Sequence, residues 1–190
     1  AADDCRRLAY HAFSLEDGAL APDRLAAAFE GAGARCPAEL PRERARFALL
    51  AAGALDEARK DAITGGAAPD ARHARLIRAV NDVVSDPAMG AVHVDAVAAL
   101  GSPFFVAARR VSPDLASRLA ARWNAIADVA ANDPDLSPGD QLNGERLRIA
   151  AAQGLAADGK APAPIAAAAV KRAELMLAAE RDSYARGGLI

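Results

Sequence analysis

At 190 residues the chain is long enough for one domain with a real core, or for two small ones. Hydrophobic residues make up 53% of it, alanine supplying about half of them, and aromatics only 4%. Alanine costs least in a helix and buries little area, so this composition reads as helices packed closely on helices. With 23 Lys+Arg against 25 Asp+Glu, a net charge of −2 and a pI near 5.9, there is no basic stripe for a nucleic acid. No apolar run reaches the length of about 18 residues that a membrane span needs.

Prolines and glycines cut the chain into segments of helical periodicity. Asp3 to Leu15 places Cys5, Leu8, Ala9, Ala12 and Phe13 on one stripe. A second helix begins at Pro22-Asp23, presents Leu25, Ala28 and Phe29, and is expected to end at Gly31 and Gly33. Pro41 opens a third with Ala45, Ala48, Leu49 and Ala52, and Gly53 is expected to break it from a short fourth, Leu55 to Thr64. Asp70 to Val84 follows, with Leu76, Ile77, Val80 and Val84 inward.

Val92 to Leu100 mixes valines with alanines and reads as helix. Ser102-Pro103, Ser112-Pro113 and Ser137-Pro138 each pair a serine N-cap with a proline in the first turn, and Ser137 with Asp140 approximates a capping box. The helix after Ser112 carries Leu115, Leu119, Trp123, Ile126 and Ala130. Another runs from Pro138 to about Ala157, and after a Gly159–Pro164 linker the last spans Ile165 to about Tyr184. Short turns between amphipathic helices make antiparallel neighbours, so residues 1–190 read as a single all-α domain of helical hairpins, either a superhelical array or a compact bundle.

Cys5 and Cys36 are the only cysteines. In an oxidising compartment they would close a disulfide, and elsewhere they would be buried thiols. The start Ala1-Ala2-Asp3-Asp4 resembles the mature side of a signal-peptidase cut, which points to a periplasmic or secreted protein. An arbitrary boundary in a cytoplasmic chain gives the same residues. The apolar end Gly187-Gly188-Leu189-Ile190 suggests part of something longer.

No constellation of catalytic residues stands out. His11, His73 and His93 have no metal-ligand spacing, and His73, among the charges of Asp70-Ala71-Arg72, reads as a solvated residue. The glycine pairs form no phosphate loop, and the serines fit capping better than nucleophilic attack. Asp56-Glu57 reads as a solvated pair at a turn, and Asp133, Asp135 and Asp140 lack the ligand count of a calcium loop. No cofactor is expected. Trp123 lies on an apolar stripe and reads as core. Of the adjacent Phe104 and Phe105, one is expected in the core and the other facing a partner, with Arg109 and Arg110 beside it.

The run Leu49-Leu50-Ala51-Ala52-Gly53-Ala54-Leu55-Asp56-Glu57-Ala58-Arg59 resembles the central turn of a tetratricopeptide hairpin. Pro69, Pro103 and Pro138, spaced by 34 and 35 residues, lie close to that family's period. The aromatic and glycine expected in the first helix of a repeat are replaced near Ala45 and Arg46. This resemblance implies a non-catalytic scaffold that binds a protein or peptide. Helical hairpins with Cys5 and Cys36 are also similar to helical regions accompanying thioredoxin-like domains in exported bacterial proteins. That second resemblance implies an accessory region of a thiol-redox protein whose catalytic domain lies elsewhere.

Overall fold

The computed structural model describes residues 2–12, 20–86, 100–132 and 148–156, with residues 171, 174 and 178 also helical. The chain is all-helical, and no strand occurs among the described residues. In order the helices are α1 (Ala2–His11), α2 (Pro22–Arg35), α3 (Pro41–Thr64), α4 (Ala71–Ser85), α5 (Ser102–Val111), α6 (Pro113–Asn132) and α7 (residues 148–156). The segments expected at Val92–Leu100, Ser137–Asp140 and Ile165–Tyr184 lie wholly or largely outside the described residues.

Prolines set the starts as anticipated, at or next to the first position of α2, α3, α5 and α6. Two expected stops are overridden. Helix α2 continues past Gly31 and Gly33 to Arg35, and α3 runs unbroken through Gly53 for 24 residues. An interior glycine costs a helix about 1 kcal/mol. Around Gly53 the buried Leu49, Leu50, Ala52, Ala54 and Leu55 offset that cost through tertiary packing. The Leu49–Arg59 run is therefore mid-helix, and no hairpin turn forms there. At Gly33 the missing Cβ has a packing use, since one built there would lie 3.2 Å from the Phe47 Cβ.

Helix α3 is the axle. Helix α2 lies antiparallel to it, with Arg59 late in α3 bound to Asp23 early in α2, and with Phe29 facing Phe47 at 6.4 Å near their middles. Helix α4 also packs against α3. Helices α5 and α6, joined at a corner at Ser112, cover α3 and α4. Cys5 and Cys36 sit in a disulfide with their Cα atoms 5.6 Å apart, fastening α1 to the α2–α3 turn. Leu8, expected on the buried stripe of α1, is instead 52% exposed, because Cys5 and Ala9 turn the buried face of this helix away from it.

The aromatic centre belongs to α5 and α6. Trp123, Phe104 and Phe105 are all fully buried; Phe104 stacks parallel to the indole at 5.6 Å and Phe105 meets it edge-on at 4.6 Å. This corrects the expectation that one phenylalanine faces a partner. Adjacent helical residues diverge by about 100°, but α5 is covered on two sides, by α3 and by α6, so both directions are interior. Helix α7 closes over Phe105 at Gly154, where a Cβ would come within 2.3 Å of the Phe105 Cβ.

Candidate functional site

Three arginines of α5 and α6 and one buried aspartate of α3 do much of the positioning. Helix ends carry backbone groups without intrahelical partners. Arg110 on α5 donates to the carbonyls of Ile63 and, at 2.6 Å, Ala67, sealing the C-terminus of α3. Arg122 on α6 donates to the carbonyls of Val84 (3.2 Å) and Ser85 (3.1 Å), sealing that of α4. Arg109 donates to the Leu155 carbonyl near the end of α7, at 2.7 Å. A cation on a helix C-terminus also complements the dipole. Arg109 and Arg110, expected to face a partner, are half-exposed and donate to neighbouring backbone.

Two further residues are placed unexpectedly. Asp56 is 4% exposed and His73 0% exposed, with Asp56 Oδ1 3.6 Å from His73 Nε2. Neither was expected inside. Yet with α3 read through Gly53, Asp56 falls in step with Leu49, Ala52 and Ile63, and His73 falls in step with Leu76, Ile77, Val80 and Val84. Burial pushes the Asp56 carboxyl up to about 7, with the Glu57 charge adding to it and the Phe104 backbone N–H opposing it. Burial likewise lowers the His73 imidazole from its ordinary value. Asp70, the N-cap of α4, accepts from the His73 backbone N–H at 2.8 Å, and this bond is the chief reason its pKa is lowered.

On the surface, Arg59 links Asp23 of α2 to Asp70, at 2.7 and 3.2 Å. Glu30 of α2 accepts from Arg72 (2.7 Å) and Arg75 (2.8 Å) of α4. These pairs hold α2 and α4 at a fixed spacing across α3.

That spacing leaves a cleft of about 660 Å³ between α4 on one wall and α2 with the start of α3 on the other. Its apolar lining is Phe29, Ala45, Ala48, Leu76, Ala79 and Val83. Glu30, Arg44, Arg75, Asp82 and Asp86 stand on the rim. Glu30 is neutralised by its two arginines, whereas Asp82 lies in the last turn of α4, where a carboxylate opposes the helix dipole. Alanines make the lining shallow, and among the described residues no side chain fills the volume.

None of the residues expected to face a partner lines this cleft. Sequence periodicity assigned Ala45, Ala48, Leu76 and Phe29 to buried faces, and only the spacing between helices shows that those faces do not close among the described residues. Among the described residues no group of three His, Cys, Asp or Glu could hold a metal ion, and no helix is long and apolar enough to cross a membrane. No known protein family, curated protein or solved structure matches the chain.

Proposed function

We propose that this chain is a non-catalytic helical scaffold whose cleft between α4 and the α2–α3 pair binds a segment of a protein partner. The observation that carries this reading is the alanine-lined cleft itself, whose volume falls within the range of about 300–1,000 Å³ typical of ligand sites. The fitting occupant is a segment that places bulky apolar side chains over Ala45, Ala48 and Ala79 and a basic residue beside Asp82. An amphipathic helix laid in a groove meets both demands. The Cys5–Cys36 disulfide supports a periplasmic or secreted setting, where such bonds persist.

Selection of peptides from a random library tests the reading. Selected sequences are expected to combine large apolar residues with Lys or Arg, and to lose at least about tenfold in affinity to Ala79→Trp, which fills the cleft. Ala62→Trp, on the exposed side of α3, is expected to leave affinity unchanged. Peptides that bind wild type and Ala79→Trp equally would overturn the assignment.

A further inference from the structure

Helix α5 begins without a side-chain cap of its own: its N-cap is Gly101, and Ser102, expected to cap it, lies within the first turn. The group offered to that end comes from α3: the Phe104 backbone N–H, which donates to the Gly101 carbonyl at 3.2 Å, also favours the charged form of the Asp56 carboxyl. The other side of the same carboxylate meets His73 of α4, and neither Asp56 Oδ1 nor either His73 ring nitrogen has a closer partner among the described residues. One buried acid and one buried base therefore meet where three helices converge. We propose that Asp56 and His73 form a one-proton latch holding the N-terminus of α5, and with it the α5–α6 corner, onto α3 and α4.

With one proton between them the pair is neutral in sum, whichever atom carries it. A second proton leaves a buried imidazolium beside an uncharged acid. Removing the proton leaves a carboxylate in the interior, supported only by the Phe104 N–H and the end of α5. Both changes are costly in a site sealed from water. The charged groups facing the pair do not cancel them. On α3, Glu57 opposes ionisation of Asp56, and Arg59 opposes protonation of His73. From the α4 N-cap, Asp70 favours protonated His73, but it is engaged by Arg59 and by the His73 N–H. From α2, Asp23 is bound to Arg59; from α5 and α6, Arg109, Arg110 and Arg122 are committed to backbone carbonyls.

The signs follow from these directions. A carboxyl raised on folding contributes stability that is present below its unfolded value of 3.8 and is lost as pH rises through about 7. An imidazole lowered on folding contributes stability that is present above 6.5 and is lost as pH falls below it. The latch is thus shut on the mildly acidic side and released as pH rises through about 7, where opening the α5 junction lets water reach the carboxylate.

The test is a pH titration of the whole chain, followed by NMR of the His73 ring and by Trp123 fluorescence, since Trp123 packs on Phe104 and Phe105. Both signals are expected to change together with a midpoint near 7, while the folding equilibrium falls by up to about tenfold per pH unit as pH rises toward that midpoint and levels off above it. Asp56→Asn is expected to abolish the transition. Glu57→Gln, at an exposed position that does not endanger folding, is expected to move its midpoint downward. A His73 ring that titrates at its ordinary value, Trp123 emission unchanged between pH 6 and 8.5, or a midpoint indifferent to Glu57→Gln would each overturn the latch.

Discussion

Arg110 reaches from α5 to the Ala67 carbonyl, 2.6 Å away and just beyond the last turn of α3, while the same nitrogen also donates to the Ile63 carbonyl. Both carbonyls lie where a helix runs out of its own donors. With Arg122 on the end of α4 and Asp56 at the start of α5, the contact shows how this chain is assembled. Several helices are finished by side chains from their neighbours, so local structure and tertiary packing are stabilised by the same bonds.

Replacing Arg110 by Met keeps much of the stem and removes the donors. Hydrogen bonds from charged groups are worth about 1.5–3 kcal/mol, so a loss in that range is expected from urea unfolding. Asp23→Ala, which removes an exposed partner of Arg59, is expected to cost no more than about 1 kcal/mol, and less in high salt.

Glycines give a paired prediction with opposite signs. Gly154→Ala pushes a Cβ to 2.3 Å from the Phe105 Cβ and 2.7 Å from the Ser102 carbonyl, and is expected to destabilise by about 1–3 kcal/mol. Gly31→Ala, within α2, meets nothing nearer than an arginine tip at 3.6 Å and is expected to stabilise by about 0.5–1 kcal/mol. Thermal melting of the two variants checks both.

Trp123 is fully buried, and its indole N–H has no partner among the described residues. Trp123→Phe therefore loses volume but no hydrogen bond, whereas Trp123→Ala is expected to cost about 3–5 kcal/mol by opening a cavity against both phenylalanines. Unfolding curves should separate the two variants clearly.

Reducing the Cys5–Cys36 bond, which spans 31 residues of sequence, is expected to lower stability by roughly 3–4 kcal/mol. Hydrogen exchange should then show α1 losing protection first, since it makes little other contact with α3.

Much of the fold could be read from the sequence, because 3.6-residue periodicity and proline starts are local signals. Helix α4 was bounded to within a residue by its own stripe and by Asp70. Gly53 misled because its local cost is small beside the burial of Leu49, Leu50 and Leu55, which only the assembled fold supplies. That single error also hid Asp56, whose place on the buried face emerges only when α3 is continuous. The burial of both Phe104 and Phe105, and the backbone partners of Arg109 and Arg110, were hidden for a related reason. One helix pattern cannot show that α5 is covered on two sides, or that carbonyls of other helices wait beside its arginines. The cleft was least legible, since an alanine-lined face looks the same in sequence whether a neighbour closes it or leaves it open.

The most direct test of the binding assignment is an NMR chemical-shift map of the domain titrated with a library-selected peptide. Shifts concentrated at Phe29, Ala45, Ala48, Ala79 and Val83 are the predicted result. Shifts that instead gather on α1 around the exposed Leu8 and Tyr10, leaving the cleft residues unmoved, would contradict the account.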